Sequence, residues 1–132
     1  MPRRVNAKEQ NNTTRFIVSA LVLYGDEKQI PVQGHDAMIT LVSLQVIPEV
    51  AKTLVGLKDD SMAAYDELLQ NAQQQGLLKR DGNVLVPTLG IEQASQAIKG
   101  LAYEFGMDDP EIAEAGEIVA RRLQRKWAGM AL

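Results

Sequence analysis

Residues 64–106 read AYDELLQNAQQQGLLKRDGNVLVPTLGIEQASQAIKGLAYEFG, and the order of pieces in this stretch decides the fold class. Tyr65, Leu68, Leu69 and Ala72 recur at helical spacing, and Gly76 supplies the left-handed conformation that ends a helix. Leu77 to Val86, LLKRDGNVLV, sets apolar flanks around Asp81-Gly82-Asn83, residues that tolerate positive φ, so a β-hairpin is predicted there and Pro87 ends it. Ile91, Ala94, Ile98, Leu101, Ala102 and Phe105 then share one helical face up to a stop at Gly106. The expectation is a mainly α protein, a helical hairpin or bundle with one short β-hairpin near residues 77–86.

Working outward, Asp108 or Asp109 caps a last helix with Pro110 in its first turn. Acids crowd the start of that helix, and Arg121, Arg122, Arg125 and Lys126 follow, an order that suits the helix dipole. Upstream, Lys58-Asp59-Asp60 breaks a long apolar stripe, and Asp60 or Ser61 serves as the next N-cap. That stripe runs from Met38 to Leu57, with Pro48 as a kink or a new start. Phe16 to Tyr24, FIVSALVLY, fits either a strand, with residues 29–32 as its return, or a short helix; the helical surroundings favour helix. Residues 1–14 are polar and basic, with Asn11, Asn12 and Thr13 in a row, and are expected to form a flexible arm before a single mainly helical domain over 15–132.

The chain has 132 residues, enough for one real core and not for two. Phe16, Tyr24, Tyr65, Tyr103, Phe105 and Trp127 are all its aromatics, so the core rests on aliphatic side chains. It contains no cysteine, which removes disulfides and cysteine-ligated zinc. The first residues lack a signal-peptide apolar run, and the nine residues of FIVSALVLY fall short of the roughly 20 that a membrane span requires. A soluble, intracellular protein is expected. The net charge of −3 is uneven: residues 1–30 carry five Lys/Arg against three Asp/Glu, and residues 31–75 two against six. A generic nucleic-acid coat is not indicated, whereas local basic patches are.

No catalytic constellation is visible. His35 is the single histidine, so neither a Cys–His pair nor a two-histidine metal site fits within one subunit. Beside Asp36, it suits a helix cap or the surface. Asp59-Asp60 and Asp108-Asp109 precede helix starts, where acids are favoured without any metal. No phosphate-cradling GxxxxGK[ST] loop occurs. The expectation is a protein that is not an enzyme and carries no cofactor. Three patches are candidate nucleic-acid contacts: Arg3, Arg4, Lys8 and Arg15 on the arm; Lys79 and Arg80 on the hairpin; and Arg121, Arg122, Arg125 and Lys126 ahead of Trp127. Cations on an arm or wing follow a phosphate backbone by displacing counterions. The third patch can serve instead to pair with acids on an adjacent subunit.

Two families share features with this stretch. GLLKRDGNVLVPT resembles the close of a winged helix, with Glu49 to Leu54, EVAKTL, as its preceding helix; Gly56 and Gly76 lie 20 residues apart, longer than the usual unit. AYDELLQNAQQQGLL, a short turn ending in proline, and IEQASQAIKGLAYEFGMDD together resemble the phage terminase small subunits over residues 64–109, about a third of the chain. Glu111, Glu114 and Glu117 stand where that family usually carries basic residues. The terminase resemblance covers the longer segment and gives the leading expectation: it implies a ring-forming homo-oligomer of a viral genome-packaging motor in the host cell cytoplasm. Such a subunit recognises double-stranded viral DNA and presents it to a large terminase subunit bearing the ATPase and nuclease. The winged-helix resemblance implies a dimeric transcriptional regulator on a palindromic site. A virion assembly or adaptor protein without DNA binding is the third expectation.

Overall fold

The computed structural model describes residues 7–25, 29–31, 47, 50 and 61–130. Among these there are four helices and a small sheet: α1 (Ala7–Tyr24), β1 (Ile30–Pro31), α2 (Ser61–Gln74), β2 (Leu78–Asp81), β3 (Val84–Pro87), α3 (Ile91–Phe105) and α4 (Asp109–Met130). The protein is mainly α with one short antiparallel hairpin, as the sequence predicts.

Glycine ends the central helices. At the close of α2, Gly76 takes φ +75°, the Gly76 amide donates to the Gln73 carbonyl and the Leu77 amide to that of Ala72. Gly106, at φ +66°, closes α3 in the same way, with the Met107 amide on the Ala102 carbonyl. Both are left-handed stops that consume orphan carbonyls. Between them β2 and β3 pair in the register Asp81↔Val84 to Leu78↔Pro87 across a Gly82-Asn83 turn. The base is closed by the Thr88 amide on the Leu77 carbonyl at 2.9 Å and by the Thr88 hydroxyl on the Gly76 carbonyl.

The sheet has a third member. β1 joins the outer side of β3 antiparallel, Ile30 opposite Leu85, which gives the order β1-β3-β2. Of the residues 29–32 offered as a return under the strand alternative, Ile30–Pro31 form a strand, but it pairs with the hairpin. FIVSALVLY is helical throughout, as part of α1.

α1 occupies the middle of the molecule, packing on α2, α3 and α4. Thr13, Thr14, Phe16, Val18, Ser19, Ala20, Leu21 and Val22 are all buried, so the helix is enclosed on nearly every side. The flexible arm expected over residues 1–14 is corrected by this finding: the helix starts at Ala7, and residues 1–6 lie outside the described residues. Packing of Thr13 and Thr14 against neighbours outweighs the poor helix propensity of Asn-Asn-Thr-Thr. Phe16 meets Phe105 edge-to-face, 6.4 Å between centroids. α1 and α4 cross at small residues: a Cβ on buried Gly116 would lie 3.0 Å from the Tyr24 ring and 3.5 Å from Ala20 Cβ. Just beyond the helix, a Cβ on Gly25 would stand 2.5 Å from the Leu21 carbonyl and 2.6 Å from Gln124 Nε2.

α4 opens on a capping box. Asp108 accepts from the Glu111 amide at 2.9 Å, and Glu111 accepts from the Asp108 amide at 3.4 Å. Ile112, Ala115, Val119, Ala120 and Leu123 form its inner face. One buried cluster takes residues from all four helices and from the sheet, with Ile47 and Val50 of the apolar stripe. The rest of that stripe, with His35, Asp36, Pro48, Asp59 and Asp60, lies outside the described residues. Ile91 departs from its predicted face and is 68% exposed, because as the first residue of α3 it precedes the turn where packing begins at Ala94.

Candidate nucleic-acid interface

The hairpin follows α2 after a three-residue turn, Gln75-Gly76-Leu77, so helix and hairpin are fixed relative to each other by the Gly76 stop. Leu78 and Leu85 turn inward and are buried. Lys79, Arg80 and Asp81 are exposed on β2. Arg80 donates from Nε to the Gly82 carbonyl at 3.1 Å, which holds the guanidinium along the turn with its terminal nitrogens left to solvent. On α2, Tyr65, Leu68, Leu69 and Ala72 face the core while Asp66, Glu67, Gln70, Gln73 and Gln74 are exposed. The outward side of α2 is therefore amide-rich toward its C-terminal end and acidic toward its start.

The two basic groups outside the hairpin have different surroundings. Arg3 and Arg4 lie outside the described residues. Lys8, in the first turn of α1, pairs with Glu104 near the end of α3 at 3.5 Å, and Arg15 is exposed on the same helix. On α4, Arg121 is tied to Glu117 at 2.6 Å, four residues back. Arg122, Arg125 and Lys126 are exposed. Leu78 and Trp127 line the same apolar cavity, so the base of the hairpin adjoins the basic end of α4, whereas Lys8 is committed elsewhere.

That cavity, about 40 Å³, lies between α1, α2, α4 and the sheet, with Val18, Ile30, Leu69 and Leu123 also in its wall. Tyr65 borders it too. Burial pushes the Tyr65 phenol well above its ordinary range, and the charge of Asp66 adds to the effect. The hydroxyl stays neutral at any physiological pH and belongs to the core.

A polar seam that the periodicity of the sequence does not announce locks α1 to α2. Asn71 donates to Asn11 Oδ1 at 2.8 Å. Gln75 donates from Nε2 to Thr14 Oγ1 at 2.8 Å and to Asn71 Oδ1 at 2.7 Å. The Thr14 hydroxyl lies 2.6 Å from the same Asn71 oxygen. Gln75 is thus anchored, where the Gln73-Gln74-Gln75 run reads as a solvated last turn. The signal in the sequence is the pairing of two amide- and hydroxyl-rich runs, NNTT and QNAQQQ, which only the tertiary contact brings together.

Among the described residues no group of three or more His, Cys, Asp or Glu side chains is placed to hold a metal. No described helix is long and apolar enough to cross a membrane. The arrangement offers hydrogen-bonding amides on one helix beside cations on a rigid hairpin. No family model, no curated protein and no solved structure matches this chain.

Proposed function

We propose that this chain is a non-enzymatic protein that binds double-stranded DNA through a winged-helix arrangement. The observation that carries the reading is the sheet order β1-β3-β2 together with a helix, α2, that runs through Gly76 into the β2–β3 hairpin. In such an arrangement the helix before the hairpin offers its outer face to the major groove, and the hairpin rests on the phosphates. Gln70, Gln73 and Gln74 supply side-chain amides suited to adenine edges, and Lys79 and Arg80 supply the phosphate contacts. Asp66 and Glu67 on α2 keep the number of phosphate contacts low. The salt dependence is accordingly shallow, with a slope of log K against log salt of roughly −2 to −3 for two or three neutralised phosphates.

Fluorescence anisotropy on labelled duplexes across a salt series tests this. Wild-type protein should bind at low salt, and the K79E/R80E pair should weaken binding by ~100-fold under the same conditions while far-UV dichroism stays unchanged. Absence of wild-type binding at low salt overturns the proposal.

A second reading rests on the likeness of residues 64–109 to the phage terminase small subunits. It shares the DNA-binding role and adds a closed ring and a large ATPase/nuclease partner. Native mass spectrometry separates the two, since a ring of many subunits supports the terminase reading and a dimer supports a regulator.

A further inference from the structure

We infer that the outer face of α4 is a self-recognition surface on which two copies of the chain pair antiparallel, about a two-fold axis through Ile118. The inference goes beyond DNA binding and does not depend on it.

α4 carries charges that it cannot pair with opposite charges by itself. Glu117 and Arg121 form a local pair at 2.6 Å. Glu111, Glu114, Arg122 and Arg125 have no such option, because no opposite charge stands three or four residues away from any of them. Their neighbours at those spacings are like charges, Glu111 with Glu114 and Arg122 with Arg125, which is unfavourable in a lone helix. All four are exposed. The helix dipole accounts for acids in the first turn but acts only over the first and last turns. It does not account for these arginines, since the last turn of α4 carries no basic residue.

At 100° per residue, Glu111, Glu114, Ile118, Arg122 and Arg125 fall within an arc of roughly 80° on the solvent side of the helix. They are also arranged symmetrically in sequence about Ile118: Glu114 and Arg122 lie four residues to either side, Glu111 and Arg125 seven. Turning a second α4 end for end about that residue therefore sets Glu111 against Arg125 of the partner subunit and Glu114 against Arg122 of the partner subunit. Ile118, partly exposed and outside the buried cluster, then meets its own copy at the centre. A two-fold contact of this kind is self-complementary and closes at two subunits. The stripe spans about 21 Å of helix, so the interface is small, rich in exposed charge, and weakened by salt.

Charge swapping tests it. Analytical ultracentrifugation of the full chain, up to ~100 μM protein at low salt, should show a wild-type dimer. E114R alone and R122E alone should each weaken association at least ~10-fold, because each places like charges opposite one another twice. The E114R/R122E double variant should restore it, because the swapped pair is again complementary. In this cysteine-free chain, I118C should crosslink to a homodimer under mild oxidation and A113C, on the flank, should not. A wild-type monomer throughout the range overturns the inference. So does a larger assembly, or single variants that leave association unchanged, or a double variant no better than the singles. Loss of DNA binding in R122E with dimerisation intact assigns the arginine to nucleic acid and overturns it as well.

Discussion

α1 and α4 lie against each other through Ala20, Tyr24 and Gly116, yet they are built on opposite plans. α1 is enclosed by α2, α3 and α4 and buries small, aromatic, branched and hydroxyl side chains alike. α4 buries one stripe and shows solvent a charged face that changes sign halfway along. The difference is one of position. A central helix must offer an acceptable surface in every direction, so its polar residues end up inside, where Thr14 finds partners on α2 and the Ser19 hydroxyl finds none among the described residues. A peripheral helix needs a single apolar stripe and is free to use the remainder for recognition.

Substitutions probe that contrast. Phe16→Ala, on the enclosed helix, empties a fully buried site and removes the contact with Phe105; it should cost about 3–5 kcal/mol in urea unfolding. Asn71→Ala removes the side-chain hydrogen bonds to Asn11, Thr14 and Gln75 and leaves Asn11 Oδ1 without its donor, so a loss of about 1–3 kcal/mol is expected by the same measurement. Asp108→Ala removes the N-cap of α4 and should cost about 1 kcal/mol. Arg122→Ala, on the outer face of α4, should change stability by less than about 0.5 kcal/mol when dilute protein is melted. If Arg122→Ala destabilised the fold as much as Asn71→Ala, the division between an enclosed and a peripheral helix would collapse.

The two helices also differ in how far the sequence announces them. α4, α3 and the hairpin could be read because each carries punctuation with a local cause: Asp108 and Pro110, Gly106, the Asp-Gly-Asn turn, Gly76. FIVSALVLY left strand and helix open because a helix buried on all sides loses the 3.6-residue alternation that identifies one. Asn11, Thr14, Asn71 and Gln75 give no sign of their seam, since hydrogen bonds between residues about 60 positions apart leave no local pattern. Of the candidate interface, Lys79 and Arg80 were legible because a hairpin turn is exposed by construction. The pairing of Lys8 with Glu104 was not, being a product of how α1 meets α3.

Two glycines illustrate a last consequence of the close approach at the end of α1. Around Gly100, on α3, there is open space, so alanine fits and should favour the helix there. At Gly25 even a single methyl group would collide with main-chain oxygen, which no rotamer change relieves. Randomising both codons and selecting for folded protein should return a varied alphabet at position 100 and one letter at position 25. The tolerance of a site is set there by the room the backbone leaves, whatever the side chain's chemistry.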